Sequence, residues 1–200
     1  SQMPPARTGA LGQEKSRAPI MQAKSCLIES ILLIPPMIPP LLPLSAVWLF
    51  LSVQAVGLAL WLTLAALNNR RDFVGAAAAV GATMAMLPLK EPPRIPTPLL
   101  SRAVSAPYAH RAALSVLLLI QTIGAALAWA GCYMLLIQGD LHSARPWLNG
   151  ALAAMSACLF AMHLAGLWFG YWIRQDTLQL THVALLLWTG IAFLSLNLIP

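Results

Sequence analysis

Long uncharged apolar runs recur four times along this chain, separated by short polar steps. The first, residues 45–67, stops at Asn68, Asn69, Arg70, Arg71 and Asp72, where hydrocarbon would reject each central charge at roughly 3 kcal/mol. The second occupies 112–136 and the third 147–173, with a polar loop around Gln138 to Arg145 between them. Arg174, Gln175 and Asp176 turn the chain again before the last run, 180–198. As helices rising 1.5 Å per residue, runs of this length match a hydrocarbon core about 30 Å thick. The pattern predicts an all-α membrane protein, a four-transmembrane-helix bundle whose membrane domain covers residues 45–200.

Between the first two runs, residues 73–87 are alanine-rich and uncharged, yet fifteen residues of helix reach only about 22 Å. The expectation is a short interfacial or half-inserted helix in the first loop, with a true short span as the alternative. Pro88, Pro92, Pro93, Pro96 and Pro98 follow and exclude a regular helix, which predicts an exposed connector carrying Lys90, Glu91 and Arg94. Upstream, residues 1–44 divide into a disordered basic tail, 1–25, and a proline-rich lead-in, 26–44. Five prolines and Glu29 in the lead-in argue against a fifth span and weaken a signal-peptide reading. Met21 is an alternative start.

Composition agrees with a lipid-facing surface. Apolar residues make up 59% of the chain and charged residues 9%, against about 25% charged in a soluble domain. So little chain lies outside the spans that a separate soluble catalytic domain has no room. The net charge of +6 points to membrane lipids, whose anionic headgroups are the expected counterions, and not to nucleic acid, because the basic residues form no stripe. Five of the twelve fall on the side of the tail and seven on the other, so the positive-inside rule leaves orientation open. Cys26, Cys132 and Cys158 are odd in number and contain no C-x-x-C pair, which predicts neither a disulfide framework nor a zinc site.

Small residues recur at helical spacing within the spans: Gly124 and Ala128, then Gly150, Ala154, Ala157, Ala161 and Ala165, with Gly166 and Gly170 forming a G-x-x-x-G. Such faces let backbones approach closely, either within a bundle or against a partner, in a larger membrane complex or a homo-oligomer. Trp48, Trp61, Trp147, Trp168, Tyr171 and Trp172 read as an aromatic belt.

The four spans contain no Asp, Glu, Lys or Arg, so the usual groups for proton or ion relay are missing and no enzyme is expected. Gln54, Gln121, Asn149 and His163 are the main polar side chains left. Histidine could still ligate a haem or bind a quinone headgroup. His110 and His182 start spans on the same side and are the candidate cofactor-binding pair, with Arg111 and Trp172 nearby. Counted from the predicted end of the third span, His163 lies about 15 Å deeper, and His142 falls at the opposite surface. The chain has no C-x-x-C-H, no phosphate-cradling glycine loop and no nucleophile elbow, so covalent catalysis has no support and no cofactor is expected.

Several short patterns, taken in order, resemble one family. Asn68, Asn69 and Asp72 match an Asn-Asn-x-x-Asp step, and Val80 and Met86 a Val-to-Met step in the loop after it. Arg102, Ala103, Val104, Pro107 and His110 match an element before the second span; Gly166, Trp168, Phe169 and Trp172 match one at the end of the third. Together they resemble the bacterial small integral membrane proteins of domain of unknown function 2165. The resemblance implies four spans and a bacterial inner membrane, and it carries no established activity. It also implies that two family glutamates are replaced here, by Gln121 and Leu167. A divergent member without those carboxylates is expected to act in assembly, as an accessory subunit of a larger complex.

Overall fold

The computed structural model describes residues 41–198, with side chains from Ala46 onward; the predicted basic tail and most of the lead-in lie outside the described residues. Every regular element among the described residues is helical. In order they are α1 (Leu41–Arg71), α2 (Phe73–Met84), α3 (Leu87–Lys90), α4 (Pro107–Leu136), α5 (Leu141–Trp168) and α6 (Asp176–Asn197), with 3-10 turns at Pro98–Arg102 and Tyr171–Ile173. Helices α1, α4, α5 and α6 are long and apolar enough to cross a membrane. The protein is therefore an all-α, four-span membrane protein.

Local chemistry explains where the helices depart from the predicted runs. Helix α1 is described from Leu41, inside the predicted lead-in. At its other end it continues through Asn68 to Arg71 and breaks at Asp72, whose carboxylate accepts from the Gly75 N–H at 2.9 Å and caps α2. Helix α4 begins at Pro107, five residues before its apolar run, with proline in the position that suits it. Asp140 accepts from the Ser143 N–H at 3.1 Å and starts α5 six residues before the predicted Trp147. That helix stops at Trp168, not Ile173, because Gly170 takes the left-handed conformation (φ 66°) and redirects the chain.

The bundle is held by close backbone approach, since lipid supplies no hydrophobic drive between helices. A Cβ at Gly131 would lie 2.6 Å from the Leu148 side chain, one at Gly124 3.1 Å from Ala154 Cβ, and one at Gly150 3.2 Å from Leu127. These glycines are what let α4 and α5 touch along their length. Around the seam, Leu51, Leu58, Leu62, Leu135, Leu148 and Met155 are fully buried. The G-x-x-x-G is used differently from expectation. Gly166 is covered by the ring of Tyr171 from the same chain, and Gly170 forms the turn, so neither faces a partner helix. Tyr171 is accordingly buried and is not a belt residue, while Trp48 and Trp61 pack against the core.

At one end of the bundle the proline segment folds into a cap. Met86, Leu89 and Phe169 form a second small core, packed by Ile95, Leu99, Leu100, Val104 and Ile173. Arg174 donates to the carbonyls of Pro88 at 3.0 Å and Glu91 at 3.4 Å, and also to that of Pro93. Arg102 stacks over the Trp168 ring at 4.4 Å. Pro92, Pro93, Pro96 and Pro98 are exposed as predicted, whereas Pro88 is half-buried within α3, and the segment is fastened down.

Candidate functional site

Two features stand out: a polar step at the middle of the bundle, and a cleft beneath the cap. Asn69 on α1 donates from Nδ2 to Gln121 Oε1 at 2.9 Å, and Gln121 Nε2 approaches Cys158 Sγ at 3.7 Å. Gln121 is the fifteenth of the thirty residues of α4. On α5, Cys158 falls midway between Trp147 and Trp168, both exposed and 21 residues apart, about 32 Å at helical rise. That separation is close to the spacing of two aromatic belts, and the Asn69–Gln121–Cys158 chain lies at the middle of α4 and α5.

The path of α2 follows from the same register. Asn69 meets Gln121, and Gly81 meets His110, so twelve residues forward on α1–α2 correspond to eleven residues back on α4. Helix α2 thus continues the course of α1, antiparallel to α4, after the break at Asp72. The Asn68–Asp72 step lies level with the middle of α4, and α2, the short helix predicted in the first loop, packs along the cap half of α4. Arg70, Arg71 and Asp72 are exposed at this level. Hydropathy locates the end of an apolar run along one helix but says nothing of its height against the neighbours.

The cleft has a volume of about 500 Å³ and lies between α2, α4, α5 and α6. Val80, Val116, Met162 and Phe169 are among its apolar walls, and Thr83, Tyr171 and His182 supply its polar groups. Tyr171 is folded back by Gly170, which brings its hydroxyl within 2.6 Å of His163 Nδ1; the imidazole tautomer decides which of the two donates. The His182 ring stacks on Tyr171 at 6.0 Å and meets His163 edge-on at 6.4 Å. His182 is 7% exposed, and its Nδ1 is buried without a hydrogen-bond partner among the described residues. Burial raises the Tyr171 pKa above its ordinary value, which keeps the hydroxyl protonated.

The predicted pairing of His110 with His182 is not what the structure builds. His110 bonds through Nε2 to the Val104 carbonyl at 2.8 Å and packs on Gly81, outside the cleft. The partner of His182 is His163, the histidine that sequence reasoning set too deep. Extending the third span to Ile173 caused that error, and the signal against it was Gly170, a helix-ending glycine just beyond Trp168. Edge-on packing of the two rings does not aim two nitrogens at a shared axial position, which makes the pair a poor fit to a haem. Arg111 and Trp172 are exposed away from the cluster, and His142 is exposed at the start of α5.

The family-pattern residues converge on the cap. Met86 and Phe169 share its core, Arg102 meets Trp168, Pro107 starts α4, His110 ties α4 to Val104, and Gly166 receives Tyr171. Asn69 and Asp72 hold the break between α1 and α2, with Asn68 exposed beside them. Gln121 is buried at that break, whereas Leu167 is exposed near the belt. No curated protein and no solved structure matches the chain. A family model described as predicted small integral membrane protein, domain of unknown function 2165, matches residues 48–199. That match runs from α1 to the end of α6, and the chain belongs to this family of small integral membrane proteins.

Proposed function

We propose that the chain is a non-catalytic subunit of a larger complex in a bacterial cytoplasmic membrane, docked through the outward face of the α1–α2 break. The observation that carries this reading is the exposure of Arg70, Arg71 and Asp72 beside Asn69, which is level with Gln121 halfway along the span α4. Facing acyl chains, three such charges cost on the order of 8–10 kcal/mol, which is comparable with the entire folding free energy of a domain. From about 15 Å below either belt, arginine cannot carry its head to water without distorting the bilayer. A partner helix bearing a carboxylate at that depth relieves the cost. The Gly/Ala faces contribute less to such docking, since Gly124, Gly131, Gly150 and Gly166 are covered from within the chain.

The test is purification of the tagged protein from native membranes in mild detergent, beside the R70L/R71L variant, with mass spectrometry of stoichiometric companions. The expected result is a companion with an intramembrane Asp or Glu that the variant fails to retain. If the protein is recovered alone and R70L/R71L is the more heat-stable form, the arginines lie in lipid and the reading fails. A second copy as the companion would make the complex a homo-oligomer.

A further inference from the structure

We infer that the cleft beneath the cap is a binding site for a neutral, ring-bearing amphiphile of the quinone class, which enters from the bilayer and sets its polar end against Tyr171 and His182. This inference does not depend on a partner subunit. A volume of about 500 Å³ falls within the range of sites that enclose small ligands, roughly 300–1,000 Å³. No charged side chain lines the cleft among the described residues, so neither a phosphate nor a free carboxylate has a counterion there. The ligand is therefore neutral. Its walls combine Phe169 and Tyr171 with the thioethers of Met84 and Met162, surfaces that suit a flat ring.

Access comes from the lipid side. Val116 and Leu178 line the cleft yet remain 56% and 40% exposed on the outer surface. The polar groups sit near the cap-end belt marked by Trp168, which is the depth at which an amphiphile keeps its polar head while its tail points to mid-depth.

His182 distinguishes a quinone from other apolar ligands. Its Nδ1 is sealed from the cleft, but the ring lines the cleft, which leaves Nε2 as the nitrogen able to meet a ligand oxygen. In a neutral imidazole Nε2 donates or accepts according to the tautomer, and the Tyr171–His163 pair can exchange its donor in the same way. Such a polar end accepts a ring carbonyl and a ring hydroxyl equally, the two oxygen types that interchange between quinone and quinol. A sterol presents the hydroxyl alone.

The experiment titrates full-length protein in detergent with decylubiquinone and follows quenching of tryptophan fluorescence. Saturable binding is expected. H182L should weaken it about tenfold, the worth of one hydrogen bond in an apolar site, and H182Q should recover part of the loss. A161W, which fills the cleft from an exposed position on α5, should abolish saturation while leaving the melting profile unchanged. Where H182L does not fold, Y171F and A161W supply the same comparison. Linear, unsaturable quenching in the native chain, or the same affinity in H182L and A161W, would show partitioning into the micelle and overturn the inference.

Discussion

Gly81→Ala is the substitution whose sign depends most directly on the α2–α4 contact. In a helix interior, alanine is favoured over glycine by about 1 kcal/mol, so the change would stabilise α2 if that helix were free. It is not free: a Cβ at Gly81 would fall 2.3 Å from Nδ1 and 2.8 Å from Cε1 of His110. Two responses are open, and both cost more than the propensity gain. The imidazole can swing away and lose its 2.8 Å bond to the Val104 carbonyl, worth about 1 kcal/mol with further loss from the unpaired carbonyl. Alternatively α2 can move off α4, with an overpacking cost of about 1–3 kcal/mol. The expected net effect of G81A is a destabilisation of about 1–3 kcal/mol. In an H110A background the obstructing ring is gone, and the same substitution should stabilise by up to about 1 kcal/mol. Unfolding in mixed micelles with increasing SDS, followed by tryptophan fluorescence for the four proteins of this cycle, measures both signs. Stabilisation by G81A with His110 intact would mean that α2 does not pack on α4, and the continuation of α1 by α2 along that helix would fall with it.

Other consequences can be measured in the same assay. Gln121→Leu strands the Asn69 amide against the middle of α4 and should cost about 1–2 kcal/mol, with Asn69→Leu in addition restoring part of it. Gly131→Val drives a side chain into Leu148 and should destabilise the α4–α5 seam by about 1–3 kcal/mol. Asp140 has its pKa lowered, first by the side-chain hydrogen bond to Ser143, so the stability it contributes is full above its ordinary value of 3.8 and lost as pH falls through the lower folded value. D140N should therefore flatten the acid limb of the stability profile below 3.8 while preserving the cap of α5.

The four long helices were legible because a charge-free run of span length has few other outcomes in lipid. Caps were legible in part: Asp72 and Pro107 stood at boundaries, but Asp140 extended α5 beyond its apolar run because a capping carboxylate, and not hydropathy, starts that helix. The level of the Asn68–Asp72 step against α4 was not legible. It depends on which residue of α4 faces Asn69, a tertiary fact that no window along one helix contains. The candidate site was half legible, since His182 was named with the wrong companion. Uninterrupted helix to Ile173 would carry Tyr171 two turns beyond His163, whereas the left-handed Gly170 returns it to hydrogen-bonding distance. One glycine's backbone conformation thus decides whether the cluster exists.

The cap has a practical consequence for handling the chain. Its loop carries Lys90, Arg94 and Arg102, at each of which a trypsin-like protease would ordinarily cut an extended segment. Arg102 is held on Trp168, and carbonyls flanking Lys90 and Arg94 are occupied by Arg174, so the backbone there is not presented to a protease cleft. An epitope or fluorescent insert placed in this loop would part Arg174 from its three acceptors and loosen the junction of α5 with α6. The turn at Gly139 is short, exposed and bare of neighbours within 4 Å, and it is there that the chain can be interrupted. The longest connection between spans is the one least able to accept a tag.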